Sequence, residues 1–166
     1  SSNQFWSLHR RLRFANGPIA RSKDYGYSDA GVTRRSQYNI YVQLFLDLVK
    51  TDNAWKFDSK TVLDVFRSYY DLNTDSLTDP FVNIYFDLAE VQRRKMESDL
   101  MSVPELTPKQ AAEIHEKHSN ALERRLEDYE RDTGSGQWVS EMKKWNKIVR
   151  EELGIDNFEI LGVRIN

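Results

Sequence analysis

Between Ser36 and Lys50, apolar side chains recur at steps of three and four, at Tyr38, Tyr41, Val42, Phe45, Leu48 and Val49, and Ile40, Leu44 and Leu46 widen the apolar sector. The spacing predicts a helix over 36–50 buried on more than one face. Asp58 or Ser59 can cap a second helix over 59–72, whose apolar side holds Val62, Val65, Phe66, Tyr69 and Tyr70. Thr78-Asp79-Pro80 is a start signal for a third over 80–101, with Phe81, Ile84, Tyr85, Leu88 and Val91 on its stripe. Thr107-Pro108-Lys109-Gln110 has capping-box spacing and opens a fourth over 108–132, which Gly134-Ser135-Gly136 breaks. Trp138, Met142, Trp145, Val149 and Leu153 mark a fifth over 137–153, stopped by Gly154. The expected fold is all-α: a body of about five helices over 36–153, arranged as repeat-like helical hairpins.

Both ends read differently. Residues 1–35 form a basic arm, and its first 23 residues carry Arg10, Arg11, Arg13, Arg21 and Lys23 without one acidic side chain. Phe5, Leu8 and Leu12 share a face at helical spacing until Gly17-Pro18, so the stretch reads as a matrix-targeting segment or its processed remnant. Residues 17–33 follow without a sustained period, although Tyr25 and Tyr27 in that loop are rings that seek a surface. At the other end, Phe158, Ile160, Val163 and Ile165 suggest an extended tail over 154–166, since a lone strand leaves its edges unsatisfied.

Charge sharpens this division. The chain's net −2 splits into seven bases against two acids in residues 1–37 and seventeen against twenty-four in the remainder. An arm at +5 on a body at −7 suits an anionic or acidic-rimmed partner and opposes bulk approach to a polyanion. The absence of cysteine excludes disulfides, thiolate zinc sites, iron–sulfur ligation and thiol catalysis. No stretch reaches the roughly 20 apolar residues that a transmembrane helix needs.

Candidate chemistry is sparse. His115 and His118 lie three apart, whereas the metalloprotease pattern wants four, and the position three before His115 is Ala112 rather than Glu. One of the two is expected to be packed and the other solvated. Asp71, Asn73 and Asp75 match the first calcium-loop ligands, but Ser76 and Val82 stand where glycine and glutamate are required. No phosphate loop and no nucleophile elbow occurs, so neither a metal nor a cofactor is expected. One echo remains: Asn39-Ile40-Tyr41 recurs as Asn83-Ile84-Tyr85, 44 residues later, and each is followed by Asp-Leu.

With a tyrosine near the start of each first helix and a Phe/Tyr-rich second helix, Tyr38 to Arg94 resembles the degenerate pentatricopeptide-type helical pairs of mitochondrial proteins. With the size, the arm and the lack of cysteine, the chain is similar to the additional small subunit that decorates the F1 head of euglenozoan mitochondrial ATP synthases. That resemblance implies an all-helical body on the outside of a catalytic subunit, stabilising assembly without chemistry. The expected function is therefore a non-catalytic accessory subunit of a mitochondrial complex, on the matrix side, with other protein subunits as partners. Phe5, Trp6, Arg10, Arg11, Arg13, Phe14, Tyr25, Tyr27, Arg34 and Arg35 are the candidate partner-binding residues. The alternative is an RNA-facing protein of the mitochondrial ribosome, with Arg10, Arg11, Arg13, Arg34 and Arg35 on phosphates. A small helical enzyme comes third.

Overall fold

A computed structural model describes residues 3–13, 38–70 and 75–164. Its first large feature is a β-hairpin. Strand β3, Val42–Thr51, pairs antiparallel with β4, Ala54–Asp64, from Val42↔Leu63 to Thr51↔Ala54. Asp52 and Asn53 join them with φ of 52° and 63°, both positive as a type I′ turn requires. Val42, Leu44, Leu46 and Leu48 face inward with Phe57 and Leu63, while Gln43, Phe45, Asp47 and Val49 face out with Lys56, Asp58 and Lys60. β1, Asn3–Phe5, adds to the far side of β4 at Asn3↔Asp64, giving the order β1-β4-β3. A short pair, β2 (Tyr38–Asn39) with β5 (Tyr69–Tyr70), closes the base of the hairpin.

Helix α1, Thr78–Met101, is the core element and is buried without interruption from Pro80 to Gln92. β3 and β4 cover one side of it; α2 (Pro108–Thr133), α3 (Val139–Leu153) and α4 (Asn157–Ile160) cover the rest. Phe81 stacks on Tyr129 at 5.1 Å, Tyr129 Oη donates to the Phe81 carbonyl at 2.7 Å, and Trp145 meets Tyr129 edge-on at 5.5 Å. Side chains buried as fully as Phe81, Leu88 and Met142 each contribute about 1.5–3 kcal/mol. Gly136, at φ +91°, lies against Phe81 so closely that a Cβ there would stand 2.8 Å from Cγ of that ring. No helix among the described residues is long and apolar enough to cross a membrane.

The fold is mixed α/β, not all-α. The expected helices 36–50 and 59–72 are strands, and Asp58 and Ser59, expected as caps, lie within β4. Leu44, Leu46 and Leu48 alternate toward the core, while the outward Phe45 and Val49 complete a false three-four stripe. The three later helices form, and Thr107 with Gln110 makes the capping box. Asn39-Ile40-Tyr41 spans the end of β2 and the approach to β3, whereas Asn83-Ile84-Tyr85 lies inside α1, so the echo is not a structural repeat. Nor is the tail extended throughout: the Asp156 side chain caps α4 and buries Phe158 and Leu161. In the arm, residues 3–13 contain a strand and a turn, not the amphipathic helix of Phe5, Leu8 and Leu12.

Candidate functional site

The first candidate surface is the arm. Asn83, Asp87 and Glu90 form a polar stripe at i, i+4 and i+7 on an otherwise apolar stretch of α1, and all three are buried. The arm satisfies two of them. Leu12 N–H donates to Asn83 Oδ1 at 2.7 Å and Asn83 Nδ2 returns a bond to the Leu12 carbonyl at 2.9 Å. Arg11 Nη1 donates to both Asp87 oxygens at 2.8 Å and to Asn157 Oδ1 at 3.1 Å. Asp87 also accepts from Trp6 Nε1 and Asn157 Nδ2, each at 2.7 Å. Burial pushes the Asp87 carboxyl up, against the pull of Arg11, Asn157 and Trp6. Burial would also raise Glu90, but hydrogen bonds from Arg93, Arg94 and Thr61 outweigh it and hold that carboxyl below its ordinary range.

Of the arm residues expected to bind a partner, Trp6 and Arg11 are therefore engaged with the chain's own α1 and α4. Phe5 is half exposed with Lys60 over its ring at 5.1 Å, and Arg10 and Arg13 are exposed, Arg13 lying 4.0 Å from Asp79. Phe14, Tyr25, Tyr27, Arg34 and Arg35 lie outside the described residues.

The second surface was not anticipated. Among the described residues β3 is an end strand of its sheet, and between its outer edge and α2 runs a groove of about 730 Å³. Its α2 wall is the stripe His115, Ser119, Leu122, Glu123, Leu126, Glu127 and Glu130, one helix face over four turns. Ile40, Leu44, Tyr85, Leu122 and Leu126 supply apolar lining, and three carboxylates line the wall with no Lys or Arg among the described lining residues. At one end Tyr38 Oη donates to Glu130 Oε2 at 2.5 Å and lies 2.9 Å from Ser135 Oγ. Burial pushes Glu130 up against that hydrogen bond, and burial with the neighbouring Glu130 raises Tyr38 above the ordinary phenol range. At the other end His115 Nε2 lies 2.7 Å from the Leu44 carbonyl, and since a carbonyl only accepts, Nε2 carries the proton.

The two histidines thus differ as expected in burial but not in being free of partners. His118 is packed between Gln92 Nε2 and Asp99 Oδ2, each at 2.6 Å, while His115 is half buried in the groove wall. Asp75 organises the entry to α1, accepting from Leu77 N–H at 2.8 Å, and Asp71 and Asn73 lie outside the described residues. Among the described residues no group of three or more His, Asp or Glu is placed to hold a metal ion. The sequence signal for the groove was the alternation Val42, Leu44, Leu46, Leu48, which marks β3 as a strand, together with the carboxylate pair Glu123 and Glu127 one turn apart. Compared with known proteins, the chain matches no family model, no curated protein and no solved structure.

Proposed function

We propose that this chain is a non-catalytic accessory subunit of a mitochondrial multiprotein complex and that it works by protein–protein contact. The observation that carries the proposal is the outer edge of β3, which among the described residues pairs with no further strand and borders an apolar-floored groove. Exposed Phe45 and Val49 next to that edge add apolar surface of the kind an assembly covers. The outside of the ATP synthase F1 head, on the matrix side, is the first assembly in which to look for it.

The test is affinity isolation of the tagged full chain from mitochondria under native conditions, with and without nuclease. Stoichiometric protein companions that survive nuclease are expected. Release of the companions by nuclease would replace this reading with an RNA-facing one, and recovery of the chain alone would remove it.

A further inference from the structure

We infer that the groove between β3 and α2 is a pocket for one arginine side chain of a partner protein. The inference rests on the accessory-subunit reading and names the chemistry of what that subunit holds.

The shape of the groove limits its occupant. α2 packs on β3, and His115 Nε2 reaches the Leu44 carbonyl at 2.7 Å, so no further strand enters between them. At the other end Tyr38 Oη bonds Glu130. Between these two contacts the cavity is lined by Leu122, Glu123, Leu126 and Glu127 on α2, by Val42 on β3 and by Tyr85 on α1. Glu123 and Glu127 are exposed, so a single side chain can enter end-on past them from solvent.

This cavity is rich in acceptors that hold nothing. Glu123 and Glu127 lie one turn apart on one helix face and, among the described residues, make neither an ion pair nor a hydrogen bond. Like charges at that spacing repel, a cost that a bound cation removes. Tyr85 supplies the independent observation. Its side chain is 9% exposed and lines the cavity, yet its hydroxyl has no hydrogen-bond partner among the described residues, whereas a buried tyrosine hydroxyl ordinarily finds one. Burial first, and then the charges of Glu130 and Glu127, push that phenol above its ordinary range, which places Oη on the carboxylate side of the ring. The backbone adds another acceptor. Asp64 N–H donates to the Tyr41 carbonyl at 2.9 Å, so the alternation of the ladder turns the next carbonyl, that of Val42, away from β4 and toward the groove.

The arrangement selects a guanidinium. Its acceptors stand on three different elements, and a planar fork of five N–H donors reaches several of them at once, where an ammonium offers a point charge. The aliphatic stem of the same side chain covers Leu122 and Leu126. A metal ion is a poorer match, since among the described residues no three His, Asp or Glu are placed to hold one. Arg67, at the Tyr41 end, is already held on the Tyr41 ring at 5.0 Å and beside Asp64 at 3.6 Å. The carboxylate wall repels RNA.

The experiment uses the full chain and blocked pentapeptides of sequence Gly-Leu-X-Leu-Gly, with arginine, lysine or citrulline at X, read by amide chemical shifts. The arginine peptide is expected to bind about tenfold more tightly than its citrulline isostere, which keeps the shape and loses the charge, with lysine between them and with shifts at Val42, Glu123 and Glu127. Glu123→Gln/Glu127→Gln, at exposed helix positions, is expected to bring arginine and citrulline within about twofold of each other. Tyr85→Phe removes an oxygen that holds nothing in the free chain, and is expected to weaken the arginine peptide about threefold without lowering Tm. Equal binding of arginine and citrulline, an undiminished difference in the double variant, a fall in Tm without loss of binding in Tyr85→Phe, or shifts confined to other surfaces would each overturn the inference. So would tighter binding of free spermidine than of the arginine peptide, filling of the groove by residues 14–37 of the same chain, or self-association through it. Retention of native companions by the double variant would leave the accessory reading standing and remove this one. Arginine-peptide binding by a chain that isolates alone from mitochondria would remove the accessory reading and leave the pocket's choice of cation in place.

Discussion

Arg11→Met isolates the contact that ties the arm to the body. The Arg11 and Asp87 side chains are 7% and 0% exposed, and the substitution keeps most of the aliphatic bulk while removing three bonds made by Nη1 and one from Nη2 to the Ser7 carbonyl. Asp87 keeps Trp6 and Asn157 as donors but loses its counter-charge. Breaking a buried pair in this way costs about 3–5 kcal/mol, because an uncompensated charge stays inside. For a chain of this size that is a fall in Tm on the order of ten degrees. In the variant the stranded carboxyl titrates further above the unfolded value of about 3.9, so the folded state retains a proton that the unfolded chain releases. Its stability therefore rises as pH falls, and the penalty measured near pH 5 should be smaller than the penalty near pH 8. Denaturant melts of both chains at the two pH values provide the check. A loss below about 1 kcal/mol, or a penalty independent of pH, would show that Arg11 does not neutralise a buried carboxylate.

Other consequences follow from single positions. Gln4 is buried with neither side-chain Nε2 nor Oε1 partnered, so Gln4→Met, which keeps the volume, should raise stability by about 1–2 kcal/mol in the same melts. Gly136→Ala combines a positive φ with a Cβ only 2.8 Å from the Phe81 ring, and should destabilise by about 1–3 kcal/mol; an unchanged Tm would mean that the 134–138 connection shifts freely. Tyr38, Tyr70, Tyr85 and Tyr129 all titrate above the ordinary phenol range because burial opposes the phenolate. Below about pH 10 neither state ionises them, and above it the unfolded chain releases protons that the folded chain retains. Stability should therefore fall by about 1.4 kcal/mol per pH unit for each such group, with tyrosinate absorbance appearing together with loss of helical circular dichroism. Tyrosinate formation in a still folded chain would contradict the burial of these rings.

The helices after Thr78 were legible because their signals are local: a capping box at Thr107, glycine stops at Gly134 and Gly154, and wide apolar stripes. The hairpin was not, because one run of residues satisfied two periods. Phe45 and Val49 are apolar yet face outward, so β3 mimics a helix stripe, and its turn is Asp52-Asn53 without the glycine that marks such turns most strongly. The better evidence was Trp55, Phe57 and Leu63 alternating with Lys56, Asp58 and Lys60, a pattern of period two that helix spacing does not produce. The arm's role was hidden for another reason. Asn83, Asp87 and Glu90 on a buried helix imply that something polar must meet them, but only the fold shows that Arg11, Leu12 and Trp6 meet the first two and Arg93 with Thr61 the third. The groove depends on the distance between β3 and α2, elements some seventy residues apart, and no local pattern encodes that separation.

Hydrogen exchange over residues 42–48, compared between the free chain and its native assembly, tests the central claim most directly. The outward amide of Val42, beside the groove, should exchange rapidly in the free chain and become protected in the assembly, while the amides paired with β4 stay slow in both. Unchanged exchange along β3, with protection gained instead on the arm or on the outer face of the sheet, would contradict it.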